Sequence, residues 1–383
     1  MYRAFLSLFV ICLVACQADT PAHSRLELAA MPVSVFVSGE DGYACFRIPA
    51  VITDAAGALI AFAEGRKNGC SDTGDIDLVM KKSTDGGKSW GPLQLIWDDG
   101  NNVCGNPAPV LDAETGVIHL LSTWNLGSDK ESQIIEQSSE DTRHVYVLTS
   151  EDGEIWSAPR EITQTTKLSN WTWYATGPGS GIQASVGRHG GPHDGGTLVE
   201  RLMVACDHIE AESKQYYSHV IYSDDHGENW QLGGSTPNHQ VNECEVVQLF
   251  DGSLMLNMRN YDRNVRRRQT AISKDGGLTW TDQKHDSTLI EPICQASLQS
   301  YAHGEKQLLL FSNPASEEKR IRMTVRASED QGQSWKQSLV LHEGPSAYSD
   351  LVVMKDGVIG CLFEKGIESP YETISFGRIR IHE

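Results

Sequence analysis

One octapeptide pattern, S-x-D-x-G-x-x-W, recurs along this chain of 383 residues. Four copies match at all fixed positions and a fifth is one residue short; they occupy residues 83–90, 223–230, 273–280, 328–335 and, for the short copy, 150–156. In this pattern the Asp accepts backbone N–H groups across a tight turn, the Gly supplies a positive φ and the Trp packs back onto a sheet. The repeat therefore predicts a series of antiparallel hairpins.

The spacing of the copies indicates the size of each structural unit. Their first residues lie 67, 73, 50 and 55 positions apart, which is the length of a four-stranded sheet with its loops. Alternating apolar residues precede the copies, as in Ile76–Met80, and no helical period follows the N-terminal segment. About 350 residues at roughly 60 per unit predict an all-β fold, a six-bladed β-propeller of four-stranded antiparallel blades.

The N-terminal segment is typical of an export signal. An apolar run from Ala4 to Ala15 is too short to span a bilayer, and Leu13–Cys16 resembles the box that is lipidated in bacterial lipoproteins. We expect the protein to be exported and lipid-anchored in the bacterial outer membrane or the periplasm. A plain secretory signal cleaved near Ala18 is the alternative. The expected segments are a lipoprotein-type signal peptide at 1–16, a short tether at 17–30 and the propeller domain at 31–383.

The charge of the chain limits its partners. It has 51 acidic and 32 basic residues, a formal net charge of −19, so its overall field repels polyanions and no nucleic-acid partner is expected. An anionic ligand would need a local cluster of arginines working against that field. The basic run of Arg263 and 266–268 is interpreted as a solvated loop, and membrane contact is expected only through the lipid anchor.

The cysteine pattern does not indicate a metal site. Beyond the signal, no two cysteines have CxxC or zinc-finger spacing, and we interpret most of them as small buried hydrophobic residues. Their number is odd, so at least one remains a thiol. His189, His193 and Asp194 lie in a glycine-rich segment without organised ligand spacing, and no metal or cofactor is expected. The seven cysteines are Cys45, Cys70, Cys104, Cys206, Cys244, Cys294 and Cys361.

A single-copy motif adds specificity to the repeat. Phe46-Arg47-Ile48-Pro49 reads FRIP, and together with the repeated boxes it resembles the exo-α-sialidase (neuraminidase) family over essentially the whole mature chain. The resemblance implies hydrolysis of terminal sialic acids from glycoproteins, glycolipids or oligosaccharides with retention of configuration, by a protein expected to be a monomer. A trans-sialidase, an intramolecular trans-sialidase and a non-catalytic sialoglycan-binding propeller are the alternatives.

The resemblance implies three arginines that hold the substrate carboxylate. They correspond to Arg47 in FRIP, to Arg259 at the end of a strand and to Arg320. A guanidinium suits this task because it is a permanent cation whose planar fork matches two carboxylate oxygens. Arg322 and Arg326 remain rivals of Arg320, since strand alternation predicts that all three share one face.

The resemblance also assigns catalytic residues. Tyr348 matches the segment of the nucleophile, and Glu243 precedes Arg259 by sixteen residues, which is the family's spacing for the catalytic glutamate. Asp72 matches the acid/base aspartate in a glycine-rich loop, where a mobile acid is expected. Asp75 and Asp77 are its competitors, although Asp77 lies within an alternating strand.

Further residues are expected around the substrate. Glu364 resembles the glutamate that braces the first arginine, and a closed ring would bring the first and last blades together so that Arg47 touches Glu364. The other substrate-binding candidates are Arg66, expected at the 4-hydroxyl of the sugar, its polar neighbour Asn106, and Gln183. Stacking on a sugar and packing in the core are both open for three aromatic residues: Trp171, Trp173 and Tyr174.

Overall fold

The structure is a computed structural model that describes residues 25–187, 198–304 and 306–382. Their 24 strands group into six antiparallel blades, each four strands wide and numbered here as blades 1 to 6. Two short helices, α1 (Glu131–Ile135) and α2 (Thr163–Thr166), lie between strands of blade 2 and between blades 2 and 3. The expected six-bladed all-β propeller is confirmed, and no helix among the described residues is long and apolar enough to cross a membrane.

The strands of the first three blades follow one another along the chain. In blade 3 both β10 and β11 pair with β12, so the two short strands together form its inner edge. Blade 1 contains β2 (Cys45–Thr53), β3 (Leu59–Arg66), β4 (Ile76–Ser83) and β5 (Gln94–Trp97). Blade 2 contains β6 (Val103–Leu111), β7 (Ile118–Asn125), β8 (His144–Ser150) and β9 (Arg160–Glu161). Blade 3 contains β10 (Trp171–Thr176), β11 (Ile182–Gly187), β12 (Leu198–Glu210), β13 (Tyr216–Ser223) and β14 (Gln231–Ser235).

The last three blades include one strand that serves two sheets. The first part of β22 pairs with β21 in blade 5, and its second part pairs with β23 in blade 6. Blade 4 contains β15 (Val241–Gln248), β16 (Leu254–Asn260), β17 (Arg267–Ser273) and β18 (Thr281–Ile290). Blade 5 contains β19 (Ser297–His303), β20 (Lys306–Pro314), β21 (Ile321–Ser328) and the first part of β22 (Gln337–Val353). Blade 6 contains the second part of β22, β23 (Ile359–Lys365), β24 (Thr373–His382) and β1 (Arg25–Val37).

The ring is closed by the pairing of β1 with β24. This pairing begins at Arg25, opposite His382, so the expected tether at 17–30 extends too far: residues 25–30 belong to a strand. The inner strands contact one another in the order β2, β6, β10 and β11, β15, β19 and β22, and β22 returns to β2. Residues at the start of these strands therefore converge on the axis from all sides.

The repeated octapeptide forms the turn between the third and fourth strands of blades 1 to 5. In the first copy the Ser83 hydroxyl donates to Asp85 and accepts from the backbone N–H of Gly87, whose φ is 78°. The carboxylate of Asp85 also accepts the backbone N–H groups of Lys88 and Ser89. The same Ser–Asp and Gly–Ser hydrogen bonds occur in the other four copies, so the expected turn geometry is confirmed.

The tryptophan of each repeat packs between blades. Trp90 meets Phe376 of blade 6 edge-on with ring centroids 5.4 Å apart, and Trp156 meets Phe62 of blade 1 at 5.7 Å. The indole N–H of Trp280 donates to the carbonyl of Gly234 in blade 3. The repeats thus stabilise the contact of one blade with the preceding one, which holds the inner strands in register around the axis.

Two expectations about charged and sulfur-containing residues are resolved by the fold. The basic run is not wholly a solvated loop, because Arg268 lies on β17, is fully buried and donates to Glu291 at 2.8 Å. Cys45 and Cys70 form a disulfide. The remaining five of the seven cysteines are buried free thiols, as expected for small hydrophobic residues.

Candidate active site

A cleft of about 210 Å³ opens at one mouth of the central axis. Its lining is mostly charged and aromatic. All six blades contribute side chains to it, but the outer strands of the blades do not. Eight of the residues expected from the sequence line it: Arg47, Arg66, Asp72, Asn106, Glu243, Arg259, Arg320 and Tyr348. A cleft with this density of guanidinium groups is built to bind an anion, although the protein as a whole is strongly acidic.

Glu364 holds the first arginine from behind. Its Oε1 accepts Nε of Arg47 at 2.9 Å, and its Oε2 accepts Nη2 at 3.3 Å. The same carboxylate accepts the backbone N–H groups of Ile48 and Tyr348, each at 3.0 Å. Glu364 is fully buried, and its charge is balanced by this arginine and solvated by the two backbone N–H groups. The contact expected between the first and last blades is present.

Tyr348 lies at the centre of the cleft beside Glu243. Its hydroxyl donates to Oε1 of Glu243 at 2.6 Å, and Nη1 of Arg259 donates both to that hydroxyl at 3.1 Å and to Oε2 of Glu243. The guanidinium carbons of Arg47 and Arg320 lie 4.9 Å and 5.6 Å from the centre of its ring. Burial raises the pKa of the Tyr348 phenol, and the Glu243 carboxylate adds to that rise. The phenol is therefore neutral in the free protein.

Arg320, and neither of its rivals, reaches the cleft. Its Nη1 donates to the Tyr371 hydroxyl at 3.0 Å, and its Nη2 donates to the carbonyl of Ile293 at 3.3 Å. Arg322 instead pairs with Glu343 at 3.3 Å. The expectation that the three arginines share a face is wrong, because Arg320 precedes β21, Arg322 has a φ of 63° and the pairing register shifts beside it. The other rival, Arg326, donates to the Asn313 side chain.

Asp72 projects from the loop between β3 and β4 towards two arginines. Its Oδ1 lies 2.8 Å from Nη2 of Arg66 and 3.7 Å from Nη1 of Arg47. The side chain is accessible from the mouth of the cleft, and partial desolvation by the cleft walls acts to raise the pKa of Asp72, but the charges of Arg66 and Arg47 outweigh this effect and hold that pKa below its usual value. Its competitor Asp77 is bound elsewhere, by the Tyr43 hydroxyl and by Lys67. Neither Asp77 nor the second competitor, Asp75, lines the cleft.

Glu64 connects the first two blades below Asp72. Its Oε2 accepts Nε and Nη2 of Arg66, at 3.0 and 2.6 Å, and its Oε1 accepts the backbone N–H of Asn106 at 2.8 Å. Asn106 has a φ of 53°, so its amide turns into the cleft and accepts Nη1 of Arg143 at 2.7 Å. Arg66 and Asn106 are therefore neighbours through one buried carboxylate, as the sequence led us to expect.

Of the three aromatic residues left open, Trp173 lines the cleft, whereas Trp171 and Tyr174 are buried in the core. A register shift between Trp171 and Tyr174 breaks the alternation of β10, so the sequence could not tell which of the three faces the cleft.

Several other lining residues were missed by the sequence analysis. Arg143 stacks on Trp173 with its guanidinium carbon 3.9 Å from the ring centre. Further missed residues include Glu131, Asp207, Tyr261 and Tyr371.

The structure does not bring Gln183 to the cleft, so it lies apart from the other residues expected to contact the substrate. It lies on β11, where its side-chain oxygen accepts the backbone N–H of Ala113 at 2.6 Å. It lines a separate cavity of about 460 Å³, whose other walls come from the later residues of the inner strands. The cleft and this second cavity are lined by different parts of the inner strands. In β2 and β22, the residues that line the cleft come before the residues that line the second cavity.

Among residues 25–187, 198–304 and 306–382, no group of three or more His, Cys, Asp or Glu side chains is arranged to hold a metal ion. His189, His193 and Asp194 lie outside the described residues. The chemistry available in the cleft is that of arginines, carboxyl groups and a phenol.

Comparison with known proteins gives consistent matches. A family model described as a BNR repeat-like domain matches residues 57–361. A sialidase of Bacteroides fragilis is 32% identical over 88% of this chain and 63% of its own length, and a sialidase of Micromonospora viridifaciens is 31% identical over 90% and 53%. The solved structure titled "Hadza microbial sialidase Hz136" superposes with a TM-score of 0.80 at 31% identity, over 91% of this chain and 68% of the other. The chain therefore spans only half to two thirds of the length of these relatives.

Proposed function

We propose that this chain, which belongs to the sialidase family, is an exo-α-sialidase. It removes terminal sialic acids from glycoproteins, glycolipids or oligosaccharides by hydrolysis with retention of configuration. The observation that carries the proposal is the contact of the Tyr348 hydroxyl with Glu243 at 2.6 Å, inside a ring of arginines. A binding-only propeller has no need of such a nucleophile and base.

Recognition of the substrate begins with its carboxylate. Arg47, Arg259 and Arg320 come from three different blades and all lie next to Tyr348 in the cleft. Each charge-assisted hydrogen bond from a guanidinium to a carboxylate contributes roughly 1.5–3 kcal/mol. Three arginines can therefore hold one anion in an otherwise acidic protein, with its ring placed over the phenol.

The charge of the substrate explains why the nucleophile is a phenol. The anomeric carbon of sialic acid carries a carboxylate, so an anionic Asp or Glu approaching it would be repelled, whereas a neutral phenol avoids this repulsion. An isolated Tyr is only about one part in a thousand ionised at pH 7, which costs roughly 4 kcal/mol. Glu243 offsets that cost by accepting the phenol proton as the attack proceeds.

The reaction then proceeds in two displacements. In the first, the Tyr348 oxygen bonds to the anomeric carbon and the glycosidic C–O bond breaks; the phenol proton passes to Glu243, and Asp72 protonates the leaving oxygen. In the second, water attacks the anomeric carbon and gives a proton to Asp72, while the Tyr348 oxygen leaves and recovers its proton from Glu243. Each displacement inverts the anomeric carbon, so the product retains the configuration of the substrate.

A trapping experiment tests this mechanism. A 3-fluoro sialosyl fluoride should form a covalent adduct that peptide mass spectrometry locates on Tyr348, and Tyr348→Phe should not be labelled. NMR of the reaction with an α-sialoside should show the α-anomer released first. An adduct on another residue, or first release of the β-anomer, would contradict the mechanism. Sialyl transfer to added lactose, or an internal anhydro product, would instead identify a trans-sialidase or its intramolecular counterpart.

We also propose that the protein is exported and lipid-anchored through Cys16. The proposal rests on the N-terminal sequence and is supported by the Cys45–Cys70 disulfide, because disulfides persist mainly in oxidising compartments outside the cytoplasm. Cys16→Ala should abolish incorporation of radiolabelled palmitate and release the protein from the membrane fraction. Unchanged membrane association and no palmitate in the unaltered protein would favour a secreted protein instead.

A further inference from the structure

We infer that the Cys45–Cys70 disulfide is a positioning element that holds the acid Asp72 over the cleft. The inference rests on the proposed function, since it concerns the residue that protonates the leaving group. Cys45 begins β2 and lies two residues before Arg47, while Cys70 lies in the β3–β4 loop two residues before Asp72. One covalent bond therefore joins the strand of the first arginine to the loop of the acid.

The two ends of this bond are held very differently. Cys45 is fully buried and pairs with Arg66 in the sheet of blade 1. Cys70, by contrast, is exposed, and so is Asp72. Strand β2 is fixed by its sheet, whereas the β3–β4 loop is not. The disulfide therefore restrains the loop at a fixed position relative to β2.

Few other contacts hold the loop. Backbone hydrogen bonds close it near its ends, from Lys67 to Asp75 at 3.1 Å and from Gly74 to the carbonyl of Gly127 at 3.0 Å. Between them, Nη1 of Arg66 donates to the carbonyl of Cys70 at 2.7 Å. A Cβ placed on the loop glycine at 69 would meet nothing within 4 Å, so this part of the loop is not packed against the protein.

The contacts of Asp72 itself restrain it only in part, through the buried Arg66 and, more distantly, Arg47. Its partners in the described chain are Arg66 and Arg47. Arg47 is one of the arginines that bind the substrate carboxylate, so its attraction for Asp72 weakens when the substrate arrives. A general acid must remain within hydrogen-bond reach of the leaving oxygen in that complex. The disulfide supplies a constraint that substrate binding does not weaken.

Breaking the disulfide should therefore affect acid catalysis and spare substrate binding. Arg47 stays on its strand with Glu364, so the carboxylate site is retained. A natural sialoside has a poor leaving group that needs protonation, whereas an aryl sialoside with an acidic phenol does not. Because general acid catalysis contributes about 10²–10⁴-fold, partial loss of position should lower kcat on the natural sialoside by about tenfold or more.

The first test compares the double variant Cys45→Ala/Cys70→Ala with the unaltered protein on both substrates. We expect kcat to fall at least about tenfold on sialyllactose and less than about threefold on the aryl sialoside, with KM little changed. Cys361→Ala is the matched control, because it removes a buried free thiol from blade 6 and leaves the loop intact; the ratio of the two activities should not change. Equal losses on both substrates, or no loss on either, would overturn the inference.

The second test uses the protein as folded. Dithiothreitol reduces the disulfide to two thiols and is itself oxidised to its cyclic disulfide, so the exchange is balanced. Reduction should reproduce the substrate-dependent loss in the unaltered protein and have no effect on the double variant. The remaining five of the seven cysteines are buried free thiols, which leaves Cys45–Cys70 as the bond that responds among the described residues.

A measurement without catalysis separates this inference from the proposed function. Hydrogen–deuterium exchange should rise on reduction in peptides covering 67–75 and stay unchanged in peptides covering β2. If the unaltered protein cleaves neither sialoside, the proposed function fails, and the exchange experiment still decides whether the disulfide holds the loop. Unchanged exchange at 67–75 after complete reduction would overturn the inference in either case.

Discussion

The backbone N–H of Tyr348 donates a 3.0 Å hydrogen bond to Oε2 of Glu364. The same carboxylate binds the side chain of Arg47, so one buried acid positions both an anion-binding arginine and the backbone of the residue that we propose as nucleophile. Tyr348 lies on β22 and Glu364 on β23, which are neighbours in blade 6. Glu364 therefore fixes the position of Arg47, which we propose to bind the substrate carboxylate, relative to the attacking oxygen of Tyr348. This relationship depends on blade 6 and on its contact with β2.

Replacement of Glu364 should impair both the placement of Arg47 and the placement of Tyr348. In Glu364→Gln one oxygen becomes an NH₂ group, which must face the guanidinium of Arg47 or a backbone N–H. We expect kcat/KM to fall at least about tenfold, and the loss of a buried ion-pair partner to cost about 3–5 kcal/mol of stability. Steady-state kinetics and urea unfolding measure the two effects. Glu343→Gln, at the exposed ion pair with Arg322, is the control and should change neither.

The third arginine can be identified by a pair of substitutions. Arg320→Ala should lower kcat/KM on a sialoside at least about tenfold, because it removes a charged hydrogen bond to the carboxylate. Arg322→Ala should behave like the unaltered protein, since its side chain pairs with Glu343 away from the cleft. Arg320→Lys should recover little, because an ammonium lacks the planar fork. An active Arg320→Ala beside an inactive Arg322→Ala would reverse our assignment.

The acid role of Asp72 predicts a dependence on the leaving group. Asp72→Ala should lose far more activity on sialyllactose than on an aryl sialoside, with the difference reaching about 10²-fold or more. The comparison of kcat on the two substrates measures this directly. Asp77→Asn is a useful companion, because its carboxylate binds Tyr43 and Lys67 outside the cleft and should show no such substrate dependence. Equal losses in Asp72→Ala would indicate a structural role.

The pKa of Asp72 predicts two different pH profiles. In the free protein Arg66 and Arg47 hold this pKa below its usual value. The protonated carboxyl group needed for catalysis is therefore lost at a lower pH than in an unperturbed Asp. Bound substrate carboxylate neutralises Arg47 and should raise the pKa of Asp72 in the complex. With rising pH, kcat/KM should therefore begin to fall at a lower pH than kcat. Coincident profiles on a natural sialoside would show that the substrate does not perturb Asp72.

The buried Arg268 predicts a large effect on stability. Its guanidinium donates to Glu291 at 2.8 Å and to the neutral Asn257 side chain at 2.7 Å, and both members of the ion pair, Arg268 and Glu291, are fully buried. Arg268→Leu leaves Glu291 unpaired and should lower the free energy of unfolding by about 3–5 kcal/mol. Arg267→Ala removes the solvent-accessible pair with Glu317 and two hydrogen bonds to backbone carbonyls, leaves no buried charge unpaired, and should cost only about 1 kcal/mol. Similar urea midpoints for the two variants would contradict this reading.

The repeat and the single-copy motifs carry most of what the sequence could predict. Four fixed positions per turn specify a hairpin, so the blades and their number follow from local chemistry. Arg47, Glu243 and Tyr348 could be placed because each lies in a motif that resembles the family's own, and the closed ring then requires Glu364 to meet Arg47.

Features that depend on departures from regular strands could not be predicted. The register shift in β10 separates Trp173 from Trp171, and the positive φ of Arg322 turns it away from Arg320. Arg268 has the sequence context of a solvated loop, and only the partners supplied by Asn257 and Glu291 explain its burial. Such partners lie on other strands and loops, so no local pattern reports them.

The pairing of β1 with β24 has a consequence for the order in which the protein is made. Residues 25–37 leave the ribosome long before their partner at 373–382, so blade 6 cannot close until nearly the whole described chain has been synthesised. Glu364 and Arg47 lie in the last and the first blade along the chain and meet where those two blades come together. The site that we propose for catalysis is therefore incomplete in any chain that lacks the last blade, because such a chain has no Glu364 to hold Arg47 and no Tyr348.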